Sequence, residues 1–275
     1  MAIRLLVLDI EGVLVLPGGS EHAWPLEALL QIRRRLRASP AAAILCSGRQ
    51  EPYGEAMVQA LDLYRPLPPA EQAAIRHRSG REIHSWPSIL ENGAYFYDPV
   101  AKRPFPHPAL TPTFTRELRR LRAEVLDPLM DETGAQIEPG KEFCISINPP
   151  ALGPGRAERH ATGTFRPVVE RAIAGWEGLV EVNHSASAID LTPIGINKAT
   201  AIRLLMAWTG LNPEEVLGIG DSSGDAEWLG VVGWSVAPAN GREALPGLRY
   251  YAAGSVTDGL VEVLERLERH GYAGV

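Results

Sequence analysis

Residues 3–13 read IRLLVLDIEGV, an apolar run broken by Arg4 and closed by Asp9, Glu11 and Gly12. A segment this short, apolar on both faces, predicts a strand buried inside a parallel sheet. Outward from it, a Pro-Gly-Gly turn at 17–19 leads to helical spacing of Leu26, Leu29, Leu30, Arg33 and Leu36 across 25–36. A second buried strand is expected at 41–46, ending at Ser47, Gly48 and Arg49, and a further helix at 55–64. After a proline-rich stretch (66–69) and a polar, arginine-rich segment, residues 88–97 read as a third strand containing Glu91, Asn92, Gly93 and Ala94. Strands alternating with helices predict an α/β domain on a parallel sheet.

The middle of the chain has a different pattern. Prolines 99, 104, 106, 108 and 112 make a stiff passage of linker character. Beyond it come an amphipathic helix (113–130), an alternating strand (142–148), a Pro/Gly loop (149–155), a helix (164–176) and two strands (179–183 and 188–192). Helices with meandering strands predict a small α+β unit. Alternation then resumes: a helix at 197–208, a short buried strand at 216–219, a helix start at 226–229, short strands at 234–237 and 250–252, and a terminal helix at 259–269. The expected architecture is a doubly wound core over 1–104 and 192–275, interrupted by an inserted α+β domain over 105–191. An insert of that length suits a small domain.

Composition excludes several function classes. With 33 acidic and 27 basic residues the net charge is −6, which is not the electrostatic footprint of a nucleic-acid binder. No apolar run reaches the roughly 18 residues of a membrane span, and Asp9 and Glu11 interrupt the apolar N-terminus where a signal-peptide core would carry no charge. Cys46 and Cys144 are the only cysteines, so neither a disulfide framework nor a cysteine metal cluster is expected. Together these features predict a cytoplasmic protein that binds neither membrane nor nucleic acid. Lysine is scarce: it stands at 102, 141 and 198, so 24 of the 27 basic residues are arginine. The arginine run at 33–37 reads as a solvated helix face. The seven histidines lack metal-ligand spacing, and Cys46 reads as a small buried hydrophobe inside its strand.

In an open parallel sheet, ligands bind beyond the carboxyl ends of the strands. The polar residues expected there are Asp9, Glu11, Ser47 and the run Gly220-Asp221-Ser222-Ser223-Gly224-Asp225. A dinucleotide site would need a glycine cradle after the first strand; this chain has two carboxylates instead. Carboxylates repel phosphate unless a cation intervenes. A cluster of them without His or Cys is a hard oxygen site suited to Mg²⁺. Ser47 and Lys198 would then supply a hydrogen-bond donor and a cation to a phosphate.

Asp9-Ile10-Glu11-Gly12-Val13, the apolar run into Ser47-Gly48-Arg49, Lys198 opening a helix, and the 220–225 run together resemble the four ordered motifs of the haloacid dehalogenase (HAD) superfamily. The insertion lies between the second and third motifs. Glu91-Asn92-Gly93-Ala94 precedes it and Ile196-Asn197-Lys198 follows, as in the Cof-type and sugar-phosphate phosphatase branch. The resemblance covers both core segments and is weak within the insert. It implies a Rossmann-like HAD core with an α+β cap, and a Mg²⁺-dependent phosphatase acting on a small phosphomonoester, a sugar phosphate above all. It also implies site roles. Asp9 would be the nucleophile and Glu11 the general acid–base. Mg²⁺ would sit on Asp9, the Glu11 backbone carbonyl and Asp221, with Asp225 completing or orienting the shell. Ser47, Gly48 and Lys198 would hold the phosphate, in a cleft between cap and core. Lys141, Arg156 and His184 are the cap residues considered for substrate contact. Two positions depart from the family pattern: Glu11 stands where Asp is usual, and Gly224 where Asn is usual. The alternatives are a phosphotransferase or mutase on the same core, separated by product analysis for free phosphate, and a non-catalytic phosphate-binding protein, which would show no turnover over a broad substrate panel.

Overall fold

Leu5–Leu8 is a strand with all four residues buried. It lies inside a five-stranded sheet whose order is Tyr250–Tyr251, Trp234–Ala237, Val216–Ile219, Leu5–Leu8, Ala42–Leu45. All neighbours are parallel, with Leu8 level with Ile219 on one side and Leu45 on the other. The computed structural model describes residues 2–17, 23–153, 159–185 and 187–275. Contacts divide the chain into two compact units, one of Met1–Phe105 with Lys198–Val275, the other Pro106–Asn197.

Both faces of the parallel sheet are covered, as continuous apolar strands require. Leu5, Val7, Ala42, Ile44 and Val216 pack with Ala199, Ile202 and Leu205 of the helix Lys198–Thr209. Leu6 and Leu8 point the other way and are fully buried. The helices Leu26–Ala38 and Val256–Arg269 pack together, and Arg35 of the first reaches Glu265 and Glu268 of the second.

Two readings of this first unit are corrected. The segment 88–97 is not one strand but an antiparallel pair, Ser88–Leu90 and Tyr95–Asp98, with Ser88 opposite Tyr97. Glu91, Asn92 and Gly93 turn the chain between them with φ of 47°, 55° and 100°. Three successive left-handed residues cannot continue a strand. The polar stretch after the prolines also holds a helix, Pro69–Ser79, of which only Ile75 is buried. With a single apolar anchor it shows almost no hydrophobic periodicity.

In the second unit a four-stranded antiparallel sheet runs in the order Gln136–Ile137, Ile145–Asn148, Ile189–Pro193, Val180–His184. Ile145, Ile147, Val180, Ile189 and Leu191 pack in one core with Leu118 and Leu121 of the helix Pro112–Leu121 and Phe165 and Val169 of Thr162–Ala172. The strand Ile189–Pro193 pairs wholly inside this unit, and the unit runs on to Asn197, beyond the boundary at 191–192 expected from the sequence.

Candidate active site

The first strand and Val216–Ile219 are neighbours in space although the chain leaves the first strand toward Ala42–Leu45. Their carboxyl ends therefore flank the point where strand order reverses, the usual place for a ligand in an open α/β sheet. Asp9 follows the first strand directly, and its N–H donates to Ile219 O (3.0 Å), so the ladder holds it in register. The 220–225 run follows the neighbouring strand. Ligand atoms of Asp9, Asp221 and Asp225 all lie within 4.8 Å of one another.

Lys198, the first residue of its helix, enters this cluster. Its Nζ is 2.7 Å from Asp225 Oδ1 and 3.2 Å from Asp9 Oδ1. Burial opposes the ammonium charge, but Asp225 and Asp9 outweigh it and hold the Lys198 pKa well above its ordinary value. Asp225 is completely buried. Its Oδ1 also accepts from Trp228 Nε1 (2.7 Å), and its Oδ2 accepts from Asp221 N (3.1 Å), Ser222 N (3.0 Å) and Ser222 Oγ (3.0 Å). Burial alone would raise its pKa, yet Lys198, Trp228 and the loop N–H groups bring it down to about 2. With five donors on two oxygens, Asp225 is placed to organise the loop and the lysine.

Asp9 and Asp221 have the opposite balance. Burial, then the charge of Asp225, pushes Asp9 well above the carboxylate range despite Lys198. The same two causes push Asp221 up to about 6. Asp9 Oδ1 accepts from Ile10 N (2.9 Å) and from Lys198, whereas Oδ2 accepts from no described residue. Crowded carboxylates with uncompensated charge and open oxygens, joined by no His or Cys among the described residues, fit a hard divalent cation.

Gly12 explains how the first turn approaches this cluster. Its φ is +70°, and a Cβ there would stand 1.8 Å from Asp221 Oδ2. Glycine is needed at this position for both reasons. The turn is tied down by Gly12 N donating to Val15 O (2.7 Å) and by Leu14 N to Ile10 O (2.9 Å). Glu11 sits on it with its side chain 27% exposed. Ser47 is fully buried just beyond the second strand, where Cys46 N donates to Leu8 O (2.8 Å) and Ser47 Oγ accepts from Arg49 N (3.2 Å). Gly48 lies against the Asn92 amide: a Cβ there would be 2.9 Å from Asn92 Oδ1 and would displace that side chain. Cys46 is fully buried as expected, and burial pushes its thiol far up from the ordinary range.

Asp9, Lys198, Asp221 and Asp225 are thus brought together. Of the candidate residues of the second unit, Lys141 and His184 each have partners of their own. Lys141 is buried among Ser146, Asp190 Oδ1 (3.5 Å) and Glu138 Oε2 (3.3 Å), where its pKa stays raised against the burial. His184 is exposed at the end of its strand, with Nδ1 3.1 Å from Arg166 Nη1. Arg156 lies outside the described residues.

The sequence reading missed one residue of this site. Asn240 Nδ2 donates to Gly12 O (3.0 Å) and Asp221 Oδ2 (3.1 Å), and its Oδ1 accepts from Val256 N (2.8 Å). It therefore joins the two loops that carry Glu11 and Asp221. An Asn-Gly pair in a short turn is the only local signal there, and it predicts a turn rather than a partner 228 residues away. The departure at Gly224 has a structural answer as well. Ser222 Oγ and N already order the loop on Asp225, and a Cβ at 224 would meet only Ser222 Oγ at 3.5 Å.

Residues 176–264, which include Lys198, Asp221 and Asp225, match the family described as haloacid dehalogenase-like hydrolase. A phosphoglycolate phosphatase of Methanosarcina mazei is 35% identical over 94 residues, 34% of this chain and 42% of that protein. A 5-amino-6-(5-phospho-D-ribitylamino)uracil phosphatase of Escherichia coli is 32% identical over 107 residues, 38% of this chain and 40% of that protein. The matches span about two fifths of the length of these curated relatives. Among solved structures, a Thermoplasma acidophilum protein superposes over 99% of this chain and 100% of its own, with a TM-score of 0.63 at 17% identity. A haloacid dehalogenase-like hydrolase from Bacteroides thetaiotaomicron covers 96% of this chain and 99% of its own, with a TM-score of 0.62 at 17% identity. No described helix is long and apolar enough to cross a membrane. Similarity to the haloacid dehalogenase-like hydrolases thus lies in residues 176–264, about a third of the chain, and the likeness of fold runs over nearly its whole length.

Proposed function

We propose that the protein is a Mg²⁺-dependent phosphatase that hydrolyses a small phosphomonoester, a sugar phosphate or similar polyol phosphate, by way of an aspartyl-phosphate on Asp9. The observation that carries this reading is the convergence of Asp9, Lys198, Asp221 and Asp225 at the reversal point of the parallel sheet. The names of the two relatives, one a phosphatase of phosphoglycolate and one of a ribityl phosphate, support a small phosphorylated metabolite as the substrate class.

Asp9 attacks phosphorus through a carboxylate oxygen, and the bond from phosphorus to the ester oxygen breaks. The leaving oxygen takes a proton from Glu11. Glu11 then removes a proton from a water whose oxygen attacks the aspartyl-phosphate, which frees inorganic phosphate and regenerates Asp9. Lys198 balances the charge of Asp9 and of the phosphate, and Ser47 and the Gly48 backbone donate to the phosphate oxygens. Asp9, the Glu11 backbone carbonyl and Asp221 would hold Mg²⁺, with Asp225 orienting the loop behind them; when bound, the cation supplies positive charge for a phosphate oxygen. Phosphoryl transfer needs little beyond this positioning and charge stabilisation.

Phosphate release should be measured over a panel of phosphorylated sugars, polyols, glycerates and nucleotides, with and without chelator. The expected outcome is turnover of one or a few small esters, abolished by EDTA and restored by Mg²⁺. Asp9→Asn should form no phosphoenzyme. Turnover that survives complete chelation, or transfer of the phosphoryl group to a second hydroxyl without free phosphate, would overturn this reading.

A further inference from the structure

Arg49 follows Ser47 and Gly48, the residues proposed to hold the phosphate. It turns back across the strand ends: Arg49 Nε donates to Glu11 Oε1 in an ion pair whose arginine side is only 12% exposed. The guanidinium lies over the Tyr53 ring, with Cζ 5.0 Å from the centroid. Tyr53 is fixed in turn by Trp24, which meets it edge-on at 5.5 Å and donates from Nε1 to its hydroxyl (3.1 Å). Trp24, Tyr53, Arg49 and Glu11 thus form one chain of contacts that ends on the carboxylate beside Asp9. Glu11 Oε2 accepts from no described residue.

This arrangement answers the question posed by a glutamate where the family usually has aspartate. Glutamate has one more rotatable bond, so an unrestrained Glu11 would spread its carboxylate over several rotamers. A guanidinium on one oxygen, itself seated over an aromatic face, restricts that spread and leaves the second oxygen for proton transfer. The pair is mostly shielded from solvent, with the two side chains 12% and 27% exposed, so the contact holds both in one geometry. Backbone coupling adds to it, because Arg49 N donates to Ser47 Oγ. The loop that would bind phosphate and the side chain that would move the proton are therefore placed by one residue.

We infer that Arg49, seated on Tyr53, is the positioning residue for Glu11, holding the longer acid–base side chain where the reaction needs it. This rests on the proposed acid–base role of Glu11. The test is a double-mutant cycle of Arg49→Ala and Glu11→Gln, with kcat and KM measured on p-nitrophenyl phosphate and on a simple alkyl phosphate. Arg49→Ala should lower kcat about 10- to 100-fold, the effect typical of a lost orienting partner, with KM unchanged and the larger loss on the alkyl ester. In the Glu11→Gln background the same substitution should change kcat little. Arg49→Lys should recover part of the loss. Tyr53→Leu, which leaves both charges in place, should repeat the pattern more weakly and serves as the measurement if Arg49→Ala does not fold. Additive losses, or a raised KM with kcat preserved, would overturn the inference by showing that Arg49 acts on substrate or fold directly. A slow Glu11→Gln beside a normal Arg49→Ala would refute only the positioning role. A normal Glu11→Gln, or a wild-type protein without turnover, would remove the acid–base reading and this inference with it.

Discussion

Asp225 and Asp221 are four residues apart on one loop, yet their carboxyls are driven in opposite directions. Asp225 has Lys198, Trp228 and three loop donors; Asp221 has Asn240 and the repulsion of its neighbours. Two expectations follow. Asp225→Asn removes the charge that Lys198 faces in a buried site and should destabilise the protein by about 3–5 kcal/mol, read from urea unfolding. Because the Asp225 pKa falls to about 2 from an ordinary 3.8, the stability it confers is present above about pH 4. It is lost as pH falls through 2. Asp221 and Asp9 work the other way, since a raised carboxyl is unfavourable when ionised. Metal-stripped protein should therefore gain thermal stability as pH drops through about 6, the Asp221 value. Saturating Mg²⁺ should raise Tm at neutral pH and flatten that gain, because the cation favours the ionised pair. A melting temperature independent of both pH and Mg²⁺ over this range would contradict the charge balance described.

At the scale of elements, apolar strands were legible and turns inside apolar runs were not. Val216–Ile219 and Trp234–Ala237 fall where their hydrophobic runs place them. The pair Ser88–Leu90 and Tyr95–Asp98 read as one strand because the residues around its turn are almost all apolar, and left-handed φ values leave no mark on hydrophobicity. That pair is held at its far end by a buried carboxylate the sequence did not single out. Asp98 accepts from His84 N (2.6 Å), Ser85 Oγ, Val100 N (3.1 Å) and Ala101 N (3.2 Å). Asp98→Ala would strand the buried Ser85 hydroxyl and remove the acceptor of three part-buried N–H groups, and should cost about 2–3 kcal/mol in unfolding free energy. The folded fraction should keep its turnover number, since Asp98 belongs to the hairpin and not to the carboxylate cluster. A selective loss of kcat at unchanged stability would assign it a role in the reaction.

For the molecule as a whole, the two units differ in how the chain builds them. The first is assembled from segments on both sides of the second, and its sheet pairs Leu5–Leu8 with Val216–Ile219 across more than two hundred residues. The second is continuous, with its own sheet and its own apolar core. Its length is well above the roughly 40 residues below which domains need extra staples. Residues 106–197 expressed alone should therefore fold, with dispersed amide resonances and a cooperative unfolding transition. A fragment with random-coil shifts would show that the core of this unit is insufficient by itself.

The sequence by itself determined the architecture in outline: buried strands from continuous apolar runs, the split of the α/β pattern by a proline-rich junction, the carboxylates and serine expected at strand ends, and the lysine expected to open a helix. These are legible because burial on a strand or helix is periodic along the chain, and periodicity is local. Only the tertiary structure decided which loops meet. Asn240 on Gly12 and Asp221, Arg49 on Glu11, and Trp228 on Asp225 depend on the order of strands in the sheet and on the course of the turns beyond them. The same holds for Lys141, a polar residue near a loop by its sequence, which the fold buries among Glu138, Ser146 and Asp190. Side-chain partners chosen across such separations carry no periodic signal; they are fixed when the strands pair and the loops at their ends are brought together.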